Sequence, residues 1–103
     1  MAFDPPEQTA PEGTIRKGYS VYQDVCLGCH GLNAVSGLLI PDLRGSAYLH
    51  DQTAFDSVVL DGALRANGMA AFGEQLDGEE SAAIRAYLIQ QAWRGKALAE
   101  AKP

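Results

Sequence analysis

Two features of this sequence predict an all-α fold: apolar residues recur at helical spacing in three segments, and no segment alternates apolar and polar residues as a half-buried strand does. With 103 residues, the chain is long enough for one domain with one core. The stretches between the three segments, residues 31–51 and 63–76, contain glycines and carry neither pattern. Loops of this length are unusual in a small domain, and we expect them to wrap around another group.

Start and stop signals set the bounds of the predicted helices, which run from about Thr14 to Val25, from about Thr53 to Gly62, and from Asp77 to Gly95. Asp77 is followed three residues later by Glu80, which is close to a capping box. The second and third helices are expected to end at their glycines, because glycine is common just past a helix end.

A close crossing of the first and last helices is predicted from Gly18, Tyr22 and Tyr87. Gly18 and Tyr22 share a face of the first helix, where a glycine permits close approach and an aromatic ring fills the space beside it. Trp93, near the end of the last helix, is expected to be a partly buried packing residue without a redox role.

The first 13 residues form a separate segment in composition, because three of the five prolines lie there: Pro5, Pro6 and Pro11. Acidic and polar residues are mixed with these prolines, as in extended linkers. The sequence therefore predicts an extended tether over residues 1–13, followed by a folded domain over residues 14–103.

Net charge and apolar content exclude two classes of partner. The formal net charge of −5 argues against nucleic acid. No apolar run approaches the roughly 18 residues that would span a bilayer, so no transmembrane segment is expected. No signal peptide pattern is visible either.

The five residues Cys26–His30 (CLGCH) form the attachment signature of c-type haem. Cys26 and Cys29 would bond to the two vinyl groups of one porphyrin, and His30 would bind the iron. A zinc site using both cysteines, His30 and His50 is the first alternative, but zinc modules generally place paired ligands on two separate knuckles. A redox dithiol is the second, but thioredoxin-like sites need a strand before the motif, where this chain has helical spacing.

If the chain binds haem, two further expectations follow, one about the orientation of His30 and one about the cellular compartment. The other ring nitrogen of His30 should donate to a backbone carbonyl, for which the region of Pro41 is the predicted source. In bacteria, covalent haem attachment takes place outside the cytoplasmic membrane. We therefore expect a periplasmic location and a leader before the mature chain, with Met1 as the start of an expressed segment or the remnant of such a leader.

The second axial ligand is predicted to be Met69, in a loop whose glycines let the backbone approach the ring. The alternatives are His50, which would give a bis-histidine iron, and an open position. Arg44 and Tyr48 are candidates for bonds to the haem propionates, since a guanidinium fork suits a carboxylate.

With these residues in view, the chain resembles a class I c-type cytochrome domain, and more narrowly the C-terminal cytochrome domain of quinohaemoprotein alcohol dehydrogenases. The matching stretches are Gly18–Tyr22, Cys26–Gly31, Pro41–Arg44, Val58–Gly62, Gly68–Phe72 and Ala83–Ile89. The resemblance implies a cytochrome c fold, with three main helices and long loops wrapped around one covalently bound haem. It also implies that His30 and Met69 are axial, although Ala70 stands where the family usually has proline.

The function expected on these grounds is single-electron transfer through one haem c, not substrate chemistry. The resemblance implies electrons from a dehydrogenase domain or partner that holds pyrroloquinoline quinone (PQQ), and an external acceptor protein or oxidase. We also expect a monomer. Two alternatives remain: a haem protein with an open sixth position that binds small gases or acts on peroxide, and a docking module whose haem only stabilises it.

Overall fold

Three α-helices and a short 3-10 helix make up the regular structure of the computed structural model, which describes residues 5–26, 47–62, 72–74 and 76–101. The helices are α1 (Glu12–Val25), the 3-10 helix (Ala47–His50), α2 (Gln52–Val59) and α3 (Gly78–Ala101). The predicted all-α fold is confirmed, and the described residues contain no strand. Within the described ranges, no helix has the length and apolar character needed to cross a bilayer.

The helix starts follow from specific caps. α1 begins at Glu12, two residues before the predicted start, because the amides of Thr14 and Ile15 already bond to the carbonyl of Pro11 at 3.0 and 3.2 Å. The N-cap of α2 is Asp51, not Thr53; the Asp51 carboxylate accepts the Thr53 amide at 2.9 Å. The Asp51 carboxylate, two residues earlier, serves as a cap as well as the predicted Thr53 hydroxyl would.

The start of α3 was predicted correctly and its end was not. Asp77 Oδ1 accepts the Glu80 amide at 2.8 Å, and Glu80 Oε1 accepts the Asp77 amide at 3.1 Å, which is a complete capping box. α3 continues through Gly95 to Ala101. The six residues after Gly95 are mostly strong helix formers, which together outweigh the cost of about 1 kcal/mol for one glycine.

α1 and α3 cross where Gly18 meets Ala83. A Cβ atom on Gly18 would overlap the main-chain carbonyl of Ala83, so only glycine allows this approach. Beside the crossing, the Tyr22 and Tyr87 rings lie 5.2 Å apart between centroids, and Tyr19 meets Tyr87 edge-on at 5.4 Å. The predicted packing role of Gly18, Tyr22 and Tyr87 is confirmed.

One apolar core joins all four helices. Its buried members are Tyr22, Cys26, Leu49, Phe55, Val59, Leu76, Ile84, Tyr87, Leu88, Ile89 and Ala92. The 3-10 helix, which lies in the first predicted loop, contributes Leu49, and the chain just before α3 contributes Leu76. The remaining core residues come from the three α-helices and from Cys26 at the end of α1.

The structure describes residues 5–13 of the predicted tether; Glu12 and Gly13 begin α1, and residues 5–11 lie against α3. Pro5 is buried, the Gln8 amide donates to the carbonyl of Ala86 at 2.7 Å, and the Trp93 indole donates to the carbonyl of Pro6 at 2.8 Å. Trp93 therefore packs as predicted, with 41% of its surface exposed. Residues 5–11 form no helix or strand, and they are attached to α3 at two points.

Replacing Gly18 with alanine should separate α1 from α3. We expect Gly18→Ala to lower the free energy of unfolding by about 1–3 kcal/mol, as overpacking typically does. Gly13→Ala is the matched control in the same helix, because a Cβ there meets nothing within 4 Å. Urea unfolding followed by far-ultraviolet circular dichroism measures both, and equal effects would contradict the close crossing.

The buried hydroxyl of Tyr87 generates a second prediction. It has no hydrogen-bond partner among the described residues, and burial raises the pKa of Tyr87, with the Tyr19 charge adding to that rise and Arg94 opposing it. Tyr87→Phe should raise the free energy of unfolding by about 1 kcal/mol, because an unpaired buried polar group is costly.

The same raised pKa makes stability depend on pH. Above about pH 10 the unfolded chain loses the Tyr87 proton while the folded chain keeps it, so the free energy of unfolding falls as pH rises. Tyr87→Phe should remove that part of the decline, which urea titrations between pH 8 and about 11 would measure. Tyr19→Phe should retain most of it, because burial is the largest cause of the raised Tyr87 pKa and the Tyr19 charge is a smaller one; identical profiles for all three proteins would refute the assignment.

Candidate haem site

Cys26 lies at the end of helix α1, within the apolar core. Cys26 is the C-cap residue of α1, and its amide donates to the carbonyl of Tyr22 at 2.8 Å. Only 7% of Cys26 is exposed, and it belongs to the same buried cluster as Tyr22, Leu49 and Val59. A sulfur atom at a helix end, facing apolar side chains, is suited to a covalent bond with a large apolar ring.

Most of the other predicted site residues lie outside the described ranges. These are Cys29, His30, Pro41, Arg44 and Met69. Their predicted roles as thioether, iron and propionate partners therefore stay predictions.

The two remaining candidates, Tyr48 and His50, lie on the 3-10 helix. Leu49 between them is buried in the core, with 1% exposure, whereas Tyr48 is 39% exposed and His50 is exposed. Within the described part of the chain, no three His, Cys, Asp or Glu side chains come together as a set of metal ligands. The predicted propionate contact of Tyr48 and the alternative iron ligation by His50 stay untested.

Arg85 links the 3-10 helix to α3 by hydrogen bonds. The sequence analysis did not predict this contact. Arg85 Nε donates to the carbonyl of Leu49 at 2.9 Å, and one terminal nitrogen reaches Gln52 Oε1 at 3.5 Å. A charged residue inside the apolar stripe of α3 was the available signal, because such a residue needs a specific partner when half-buried.

A second polar bridge joins α2 to α3. The hydroxyl of Ser81, which is fully buried, donates to Asp56 Oδ1 at 2.6 Å, and the Gln52 amide donates to the same oxygen at 2.8 Å. Buried polar groups satisfied in this way fix one arrangement of the helices that carry them. Nothing in the local sequence around Asp56 or Ser81 signals this pairing.

Two main-chain hydrogen bonds bring the chain back to the end of α2 after residues 63–71. The Phe72 amide donates to the carbonyl of Val59 at 2.7 Å, and the Gly73 amide donates to the carbonyl of Leu60 at 3.1 Å. We call these four residues the α2 clamp. The described residues on either side of positions 63–71 therefore meet at the end of α2.

Comparison with known proteins identifies the class of protein. The family model described as cytochrome c oxidase, cbb3-type, subunit III matches residues 13–88, which is more than half of the chain. The chain therefore belongs to this family of c-type cytochrome domains. A cytochrome c domain carries covalently bound haem c and transfers electrons without converting a substrate itself.

The more particular resemblance, to quinohaemoprotein alcohol dehydrogenases, is also confirmed. The chain is 41% identical over 92 residues to the dehydrogenase subunit of alcohol dehydrogenase (quinone) from Acetobacter aceti, covering 89% of this chain and 12% of that protein. It is 39% identical over 90 residues to quinohemoprotein alcohol dehydrogenase ADH IIB from Pseudomonas putida, covering 85% of this chain and 12% of that protein.

A solved structure agrees with these relatives. Quinohemoprotein alcohol dehydrogenase ADHIIG from Pseudomonas putida HK5 superposes with a TM-score of 0.81 and 30% identity, covering 90% of this chain and 13% of that one. The chain thus spans about an eighth of the length of the relatives that it matches.

Proposed function

We propose that this chain is a single-electron carrier in which Cys26 and Cys29 hold haem c covalently, and His30 and Met69 bind its iron. The observation that carries the proposal is the family match over residues 13–88, which contains the whole attachment motif and Met69. The buried position of Cys26 at the end of α1 supports it. When bound, haem c supplies a one-electron couple between ferric and ferrous iron.

The chain's own residues would then hold that couple in a fixed environment. Cys26, supported by α1 and buried in the apolar core, would hold the ring covalently. His30 would be oriented by a backbone carbonyl near Pro41, and Arg44 and Tyr48 would bind the propionates. With both His30 and Met69 as its protein ligands, the iron would offer no site to small molecules, and little would have to move on reduction.

The names of the relatives support a proposal for the direction of transfer. The chain spans about an eighth of proteins named quinohemoprotein or quinone-linked alcohol dehydrogenases. We infer that a separate dehydrogenase domain or partner, holding PQQ, donates electrons to this domain, and that an external protein or oxidase accepts them. Residues 1–13 would join the domains, residues 14–103 would form the cytochrome domain, and the protein would act as a monomer in the periplasm. The net charge of −5 favours a basic acceptor surface.

Covalent attachment is tested by intact mass spectrometry of protein matured in a host that attaches haem. The wild type should carry the mass of one haem, and Cys26→Ala/Cys29→Ala should carry none after denaturation in acid and organic solvent. The single variants, each with one remaining thiol, are matched controls. A wild type with only the polypeptide mass would refute the proposal.

Axial ligation by Met69 is tested by comparing Met69→Ala with His50→Ala. The wild type should show the weak far-red absorption band of ferric iron bound by methionine sulfur, and its ferrous form should bind carbon monoxide slowly. Met69→Ala should lose the band and bind carbon monoxide rapidly, because it opens one axial position. His50→Ala should match the wild type; the opposite result would make His50 the ligand, and rapid binding by the wild type would favour an open sixth position.

A further inference from the structure

A surface groove of about 250 Å³ lies between α1 and α3, next to the crossing at Gly18. Its walls come from one face of α1 between positions 12 and 19 and from one face of α3 between positions 87 and 94. On each helix the lining residues follow the three- and four-residue spacing of a single face, so two stripes of side chains face each other across the groove. None of these residues belongs to the predicted haem site.

Two arginines give this groove a positive charge on an otherwise acidic protein. Arg16 on α1 and Arg94 on α3 both line it, against a single carboxylate, that of Glu12. Within the described residues neither arginine forms an ion pair, and Arg94 has only a long hydrogen bond, of 3.5 Å, to Gln91 Oε1. Because the chain carries a net charge of −5, a groove with two uncommitted guanidinium groups favours an anion at this place.

The hydroxyl of Tyr87 is a second feature that points to a ligand. Tyr87 lines the groove, only 3% of it is exposed, and its hydroxyl has no hydrogen-bond partner among the described residues. Burial raises the pKa of Tyr87 most, Tyr19 adds to the rise and Arg94 opposes it, so the hydroxyl lies within electrostatic reach of two other groove residues. A buried donor without an acceptor is rare and costly, and a bound ligand is one reason to keep it.

Apolar surface in the same groove limits which anion fits. Ile15 and the Tyr19 and Tyr87 rings form part of the walls, and the two rings meet edge-on with centroids 5.4 Å apart. An inorganic anion leaves this surface uncovered, whereas a carboxylate on an apolar body covers it and also matches the fork of a guanidinium group. The groove is smaller than the roughly 300–1,000 Å³ of sites for drug-sized ligands, so the apolar body must be small.

We propose that this groove is a binding site for a carboxylate carried on a small apolar body, with Arg16 and Arg94 binding the carboxylate and Tyr87 donating its hydroxyl to it. Arg94, which is exposed and weakly held, moves toward the ligand and opens the approach to that hydroxyl. Two sources present this chemistry: a free organic acid, and an acidic side chain of a bound protein. The site does not rest on haem or on its iron ligands.

Binding is tested by NMR titration of the isotope-labelled, haem-loaded full chain with benzoate, a carboxylate on an aromatic ring. The side-chain amide signals of Gln90 and Gln91, which line the groove, should shift and saturate with a dissociation constant of about 1–10 mM. Benzyl alcohol carries the same ring without the charge, and it should bind at least about tenfold more weakly.

Variants of the groove residues separate the site from a general effect of charge. Arg16→Gln and Arg94→Gln should each weaken benzoate binding about threefold to tenfold, because each removes a charge-assisted hydrogen bond at an exposed position. Lys17→Gln is the matched control, since Lys17 contacts Glu79 at 3.4 Å and does not line the groove; binding should stay within about twofold of the wild type.

Tyr87→Phe separates binding from folding. It should weaken benzoate binding about threefold, because one hydrogen bond is lost, while the protein becomes more resistant to urea. Loss of folding cannot produce that combination. Unchanged benzoate binding in Tyr87→Phe would overturn the role of the hydroxyl.

A second ligand, glutamate capped at both ends of its backbone, identifies the source of the carboxylate. Tighter binding of benzoate would assign the groove to a free acid, and tighter binding of the capped glutamate would assign it to a side chain of a protein partner. The absence of a saturable shift with either ligand up to about 50 mM would overturn the proposal. Equal weakening by Lys17→Gln and Arg16→Gln, or equal binding of benzoate and benzyl alcohol, would overturn it as well.

Discussion

The positions of the other elements depend on the close contact between Gly18 of α1 and Ala83 of α3. It sets how closely α1 approaches α3, and the Tyr22 and Tyr87 rings fill the space that the crossing leaves beside it. Cys26 follows Tyr22 by one helical turn, so the same contact fixes the depth at which Cys26 enters the core. In a chain this small, a covalent group supplies apolar mass and a staple that the polypeptide core alone provides poorly.

Around that crossing, polar contacts hold the smaller elements in place. Arg85 binds a carbonyl of the 3-10 helix, and Ser81 binds Asp56 of α2. Ser81 and Arg85 lie four residues apart on one face of α3. This one long helix therefore holds both the 3-10 helix and α2, and with α2 the clamp at its end. The electron-transfer function benefits because rigid surroundings leave little to rearrange when the charge on the iron changes.

Sequence reasoning succeeded where a local rule was sufficient. The capping box at Asp77 and Glu80 and the shared face of Gly18 and Tyr22 are local patterns, and both are present. It failed at Gly95, because the glycine alone was taken to end the helix. The residues after Gly95 favour a helix, and the helix continues through them. It was silent on the Phe72–Val59 pairing, because main-chain amides and carbonyls are identical at every position and carry no sequence signal.

The attachment of residues 5–11 to α3 changes how a neighbouring domain would be connected. Seven free residues span up to about 25 Å when extended, so a domain joined through them could occupy many positions. The hydrogen bonds from Gln8 to Ala86 and from Trp93 to Pro6 remove most of that conformational freedom. Any polypeptide preceding Pro5 therefore starts from a defined spot beside Trp93, so the spacing between two redox centres in one chain would depend on docking geometry more than on linker diffusion.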